Sequence, residues 1–372
     1  MSMASMSSIS WSDLPEGLLE LIFQQVTNIF DLYQCYKVCR SWRPIAKNLL
    51  ALSPPRLLVL KYQDPDIDRI QMFNPFNDSS SMCIFPKFKT HDGCEYEPKS
   101  VGSGHGWLLI NYTTSKCIYG ESHAHYIYLY NPLTRVGFWL PTLLLDHNDR
   151  RMEATRLVLL SKPTSPSCVV LSLSNYSFDE KKFAFWRTGD KVWRLFPHSA
   201  NVIGDSICYK GEIYAIKMRI KEQSLMKFEI SPFDHGKSIP TKMNRSWNYS
   251  DNYLVESLCG NLWMVCRVLN PTSSFEVYKL DWEKMEWEEI KSLGDQAIFL
   301  ACHDSVCIQA GASTMYKQNC IYFTKDVYGG NKFVYNRNEF GIYELGNQTI
   351  NRVHLSFPKQ DRSIHQWFKL DI

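Results

Sequence analysis

No long run of like charge occurs in the 372-residue chain, and 41 Lys and Arg against 38 Asp and Glu leave a net charge of only +3. A general attraction to nucleic acid or to an anionic membrane is therefore not expected. No apolar stretch approaches the roughly 20 residues of a membrane span. Residues 1–10 are small and polar and lack both the basic and the apolar regions of an export signal. These absences predict an intracellular chain, cytoplasmic or nuclear, that begins with a disordered segment over 1–10. The twelve cysteines are scattered rather than framed as in a secreted scaffold, so they are expected to be reduced thiols. Sequons such as Asn111-Tyr-Thr113 and Asn248-Tyr-Ser250 then carry no glycan.

Signatures of chemistry are missing as well. The chain has no Gly-x-Ser-x-Gly elbow, Walker loop, Cys-x-x-Cys or His-Glu-x-x-His pattern. Gly102-Ser-Gly-His-Gly106 is glycine-rich, but Trp107 stands where a dinucleotide fingerprint needs its last glycine, and a strand pattern follows. It reads as a tight turn. Cys302-His303 with Cys307, His91 with Cys94, and His123 with His125 supply too few ligands for a structural zinc, and Cys35 and Cys39 lie one helical turn apart on an apolar face. No cofactor and no metal are expected, and the chain reads as a non-catalytic protein. The alternating run Lys217-Met-Arg-Ile-Lys221 fits a solvated strand face, with no aromatic platform for nucleic acid.

What is present begins with Trp11-Ser-Asp-Leu-Pro-Glu-Gly-Leu-Leu-Glu-Leu-Ile-Phe23. On a helix at about 100° per residue, Leu21, Leu14, Leu18, Ile22, Val26, Leu19 and Phe23 follow one another around an apolar arc of roughly 200°. One-sided burial needs about half of that. Ser12 and Asp13 suit a helix start, Pro15 a first turn, and Glu16 the positive end of the dipole, so a helix is expected over 15–25. A second fits 31–38, and a third follows Ser41 as cap, with Pro44 confined to its first turn. Three helices in about 40 residues cannot hide this apolar surface among themselves, so another protein is expected to cover the excess.

Leu14-Pro15, Leu18-Leu19, Ile22-Phe23, Leu32, Val38-Cys39-Arg40 and Trp42-Arg43 together resemble the F-box, the segment that docks onto the Skp-type adaptor of a cullin-RING ubiquitin ligase. The resemblance implies that Leu14, Pro15, Leu18, Ile22, Val38, Cys39 and Trp42 form or support the adaptor contact, and that Leu19, Phe23, Val26 and Leu32 bind the helices together. Gly17 departs from the acidic or polar residue usual in the family and costs the first helix about 1 kcal/mol relative to alanine.

The helical module is expected over 11–52. Ser53-Pro54-Pro55 then ends the third helix, giving a linker at 53–56 and a second domain over 57–372. There the period changes to alternation. Six candidate hairpins recur at 72–86, 128–141, 183–196, 228–240, 277–290 and 342–353. Three of them open on closely similar turns, Phe73-Asn-Pro-Phe76, Tyr130-Asn-Pro-Leu133 and Ile230-Ser-Pro-Phe233. From Asn74 in the first turn to Gly346 in the sixth, the interval averages about 54 residues. Gly106, Gly211, Gly260 and Asn319 each look like a turn residue opening an inner strand. The clearest unit shows four strands at 262–266, 275–280, 286–290 and 297–301.

Four-stranded units at this period predict a β-propeller of about six blades; a β-sandwich would explain the alternation but not the repeated hairpin. Neither a tryptophan-aspartate blade ending nor a paired-glycine kelch signature is present, so the propeller is a divergent, kelch-like one. An F-box followed by such a domain, with Gly260-Asn-Leu-Trp263 and Phe275-Glu-Val-Tyr-Lys-Leu-Asp281, resembles the large plant F-box family with a C-terminal domain of unknown function. That resemblance implies a mainly β fold with a small all-α N-terminal module. It also implies the role of substrate-recognition subunit of a Skp-cullin-F-box ligase, whose partners are the Skp-type adaptor, the cullin and RING subunits behind it, and an unnamed target protein. Two readings stay open beside it: an F-box protein acting outside the ligase, and a propeller that binds or converts a small molecule. For the target, long loops at 143–156 and 234–253 stand out, the second carrying His235, Arg245, Trp247 and Tyr249.

Overall fold

A computed structural model of the chain describes residues 10–53, 55–61, 67–77, 79–86, 88–89, 95–114, 124–144, 154–175, 181–195, 205–219, 222–229, 237–243, 252–268, 274–300, 305–311, 314–324, 339–354 and 362–371. After a short 3-10 turn at Trp11–Asp13 come helices α1 (Glu16–Gln24), α2 (Ile29–Val38) and α3 (Trp42–Ala51). Their bounds follow from local chemistry. Pro15 stands just ahead of α1, and the Asn28 side chain accepts the Phe30 N–H at 3.0 Å to cap α2. Ser41 precedes α3 but does not cap it: its backbone is already helical and its hydroxyl donates instead to the Ser12 carbonyl at 3.2 Å. Leu19, Phe23, Ile29, Leu32, Ile45, Ala46 and Leu50 fill the space between the helices.

The strands form six sheets. In the first, Arg362–Phe368 from the far end of the chain pairs with Arg56–Lys61, followed by Ile67–Phe73 and Ser80–Pro86. The second runs Phe88–Lys89, Glu95–Gly104, Trp107–Thr114, Ala124–Asn131 and Val136–Trp139, with Leu143–Leu144 as a side pairing. The third is Ala154–Leu159, Val169–Asn175, Lys181–Arg187 and Arg194–Leu195, and the fourth is Ser206–Tyr209, Glu212–Arg219, Glu222–Phe228 and Lys237–Pro240. The fifth is Asn252–Glu256, Leu262–Val268, Ser274–Asp281 and Glu286–Ile290. The sixth runs Val306–Gln309, Gln296–Leu300, Cys320–Thr324, Glu339–Glu344 and Thr349–His354.

Five of these sheets contain the four antiparallel strands of a regular blade, and the sixth does not, because Gln296–Leu300 pairs in parallel with Cys320–Thr324. The described residues therefore form five blades, not the about six that the period predicts. The predicted four-strand unit is also out of phase by one strand. The strand expected at 297–301 belongs to the sixth sheet, and Asn252–Glu256 takes the inner place in the fifth. Strands at Leu143–Leu144, Ala154–Leu159, Lys237–Pro240 and Asn252–Glu256 likewise occupy the ends of the two stretches read as loops.

The predicted hairpins are paired, one in each sheet, and the turn read at Ile230-Ser-Pro-Phe233 lies outside the described residues. Asn74 Oδ1 accepts from Phe76 N, Asn131 Oδ1 from Leu133 N and Thr134 N, and Asp281 Oδ1 from Glu283 N and Lys284 N, all at 2.9–3.1 Å. Gly106, Gly211, Gly260 and Asn319 open inner strands with φ of 73°, 80°, 71° and 56°.

Six apolar clusters lie between neighbouring sheets and close the ring. Polar bonds add to them: Leu254 N donates to Asp205 Oδ2 between the fourth and fifth sheets, and Leu258 N to Gln296 Oε1 between the fifth and sixth, each at 2.9 Å. The cluster between the first and second sheets, with Ile70, Met72, Leu108, Ile110 and Phe368, is continuous with the helix interior. The helical module is thus seated on one seam of the ring. Ser81 Oγ donates to Asn28 Oδ1 at 3.0 Å across this junction.

Candidate functional site

The apolar arc of α1 is divided by this packing. Leu19 and Phe23 turn inward and are buried, and Val26 is half-buried beside them. Leu18, Leu21 and Ile22, which share one face at i, i+3 and i+4, are 50%, 59% and 44% exposed. Val38, the last residue of α2, is 60% exposed and Trp11 is 68% exposed. A module with a filled interior therefore still shows water these five large apolar side chains, besides Leu52 at its far end, the pattern of a surface awaiting a partner.

Its rim is held by a small polar lock. Ser10 N donates to Asp13 Oδ2 at 3.3 Å and stabilises the Trp11–Asp13 turn. Trp42 Nε1 donates to the Trp11 carbonyl at 3.3 Å, while Ser41 Oγ donates to the Ser12 carbonyl and stands 3.1 Å from Cys39 Sγ. Trp42 is half-buried and meets Phe23 edge-on, with ring centroids 5.1 Å apart. The closing Val-Cys-x-x-Trp segment and the opening Leu-Pro segment are thereby brought side by side.

Of the residues expected at the adaptor contact, Pro15, Leu18, Ile22 and Val38 are exposed, whereas Leu14, Cys39 and Trp42 are half-buried and support the surface from beneath. Sequence reasoning missed Trp11 and Leu21. Leu21 was legible, because it lies at the opposite edge of the arc from Leu19 and Phe23; Trp11 had no periodic signal of its own. Gly17 sits on the exposed side of α1, and a Cβ there would meet nothing within 4 Å. Gly17→Ala is therefore expected to stabilise the chain by up to about 1 kcal/mol, read as a small rise in midpoint on chemical denaturation.

The target-contact candidates His235, Arg245, Trp247 and Tyr249 lie outside the described residues, as do His91, Cys94, His123, Cys302 and His303. Cys307 is buried with its thiol on Gln296 Oε1 at 3.1 Å, and burial pushes its pKa up to about 12, so it stays a protonated thiol rather than a nucleophile. His125 is buried beside Asn111, with Nδ1 and Oδ1 3.2 Å apart. Among the described residues no group of three or more His, Cys, Asp and Glu is placed to hold a metal ion. The tight turn that the sequence predicts at Gly102–Gly106 is confined to His105-Gly106, both with positive φ, between two antiparallel strands, to the first of which Gly102–Gly104 belong. No helix among the described residues is long and apolar enough to cross a membrane.

Comparison with known proteins gives a match to each part of the chain. A family model described as KIB1-4 beta-propeller matches residues 62–344, and one described as F-box-like matches residues 11–52. An F-box protein of Arabidopsis thaliana is 26% identical over 391 aligned residues, covering 93% of this chain and 95% of its own. An F-box/kelch-repeat protein of the same plant is 24% identical over 371, covering 96% and 94%. Among solved structures, TolB from Acinetobacter baumannii aligns with a TM-score of 0.46 at 9% identity, over 88% of this chain and 70% of that one.

Proposed function

The chain belongs to the KIB1-4 β-propeller family and opens with an F-box-like segment, and on that premise we propose that it is the substrate-recognition subunit of a Skp-cullin-F-box ubiquitin ligase. The observation that carries this reading is the exposed face of Leu18, Leu21 and Ile22, flanked by Trp11 and Val38, on a module whose interior is already full. The Skp-type adaptor covers that face, with Leu14, Pro15, Cys39 and Trp42 as its support, and brings the cullin and RING subunits with it. The propeller, a divergent relative of the kelch type, holds a target protein. Arg245, Trp247 and Tyr249, with His235 on the same stretch of sequence, are proposed to contact it, the arginine and aromatic types being those enriched where binding energy concentrates. The chain performs no chemistry itself. It raises the effective concentration of the target at the ligase, converting a bimolecular encounter into a local one.

The test is capture of the full chain by a purified Skp-type adaptor, alongside the double variant Leu18→Glu, Ile22→Glu. Both side chains point to water in the free chain, so the charges leave folding nearly untouched, while in the complex they are buried unpaired. Affinity is expected to fall by about 100-fold or more with an unchanged circular dichroism spectrum. A wild-type chain that is not captured, or a folded variant that binds as well as wild type, would remove the reading.

A further inference from the structure

Arg56, the first residue of its strand, is 5% exposed. Among the described residues no carboxylate pairs with it: Nε makes no hydrogen bond, and Nη1 has only the Ser79 hydroxyl, at 3.5 Å. Burial without an ion pair lowers the guanidinium pKa to about 10. An uncompensated buried cation is costly, and a neutral hydroxyl at the limit of hydrogen bonding does little to offset it.

Ser79 closes the turn between Ile67–Phe73 and Ser80–Pro86. Its N–H donates to Asn77 Oδ1 at 3.1 Å and its carbonyl accepts from Asn74 N at 2.8 Å, so the backbone is set and the hydroxyl is held towards the guanidinium. The serine is half-buried, on a hairpin whose second strand is the outer edge of the first sheet, and Ser80 beside it is exposed. An enzyme can reach this turn without opening the ring. Two residues further on, Ser81 makes its bond to Asn28 across the junction with the helices.

We propose that Ser79 is a phosphorylation site and that Arg56 receives its phosphate, at the joint between the helical module and the first blade. An ATP-dependent protein kinase supplies the group. The Ser79 Oγ–P bond forms as the bond from the γ-phosphorus to its bridging oxygen breaks, ADP leaves, and the hydroxyl proton passes to the kinase's base. The phosphate brings a near-dianion with three acceptor oxygens to a fork-shaped donor that has no counter-ion among the described residues. It would tie the start of the propeller to the turn that touches α2.

The full chain carrying genetically encoded phosphoserine at position 79 tests this by thermal melting. The midpoint is expected to rise by about 3 °C or more, and the rise to vanish in Arg56→Gln. Should Arg56→Gln not fold, Arg56→Lys keeps the cation without the fork and is expected to retain less than half of the gain. In chain isolated from the cells that make it, mass spectrometry is expected to place phosphate on Ser79. A midpoint that falls or stays put, a gain that survives Arg56→Gln, or only unmodified Ser79 in the isolated chain would each overturn the proposal. So would an Asp78→Asn variant destabilised as much as Arg56→Gln, since the guanidinium would then already have its counter-ion.

Discussion

Replacing Trp367 by alanine is expected to loosen the closure of the ring and lower stability by about 3–5 kcal/mol. The side chain is 1% exposed and belongs to the strand that returns from the end of the chain to the first sheet. Its Nε1 donates to the Leu300 carbonyl of the sixth sheet at 3.0 Å, and its own carbonyl accepts from Ser103 Oγ of the second at 3.2 Å. Its ring stands edge-on to Phe299 at 4.8 Å and Phe340 at 5.7 Å. One residue thus fastens three neighbouring sheets, and alanine leaves a cavity and removes the bond to the Leu300 carbonyl. A fall in melting midpoint of about 4–6 °C is the expected result for a chain of this length. Trp282→Ala, which removes a ring that is 37% exposed, is the comparison and is expected to shift the midpoint far less. Equal shifts in the two variants would mean that the C-terminal strand does not carry the closure.

The second large effect is expected at Gly341. It pairs across the sixth sheet with Phe323, whose ring lies where a Cβ on residue 341 would stand. That ring is also held from its other neighbours, by Phe275 at 4.7 Å and by the Arg267 guanidinium at 5.1 Å, so it has nowhere to retreat. Gly341→Val forces Phe323 out of the seam between the fifth and sixth sheets at a cost of about 3 kcal/mol. Chemical denaturation reads the loss. Adding Phe323→Leu to Gly341→Val is expected to recover part of it, because the two positions share one volume. Strict additivity of the two changes would show that the strain lies elsewhere.

The helical module was readable because its signals are local. A 3.6-residue period and prolines at Pro15 and Pro44 act within a turn of the chain, and the observed helices agree with them, while the Asn28 cap starts α2 two residues earlier than the expected 31. The six hairpins were readable for the same reason, since Asn74, Asn131 and Asp281 satisfy backbone groups within three residues of themselves. The pairing of whole strands was not. Gln296–Leu300 is buried at every position, so its sequence reads as a central strand whichever neighbour it joins. Its parallel pairing with Cys320–Thr324, which makes the sixth sheet irregular, depends on chain 20 residues away.

By itself, then, the sequence determined the three helices, the change to alternating strands after Pro54-Pro55, the recurrent hairpin turns and the F-box pattern, all of which are written in contacts a few residues apart. Only the tertiary structure decided which half of the α1 arc meets water, how the sheets are composed, and that the ring closes through Trp367. It also decided that Arg56 is buried with its Nη1 on the Ser79 hydroxyl. Each of these rests on groups brought together from distant parts of the chain, and burial, unlike periodicity, exists only once they have met.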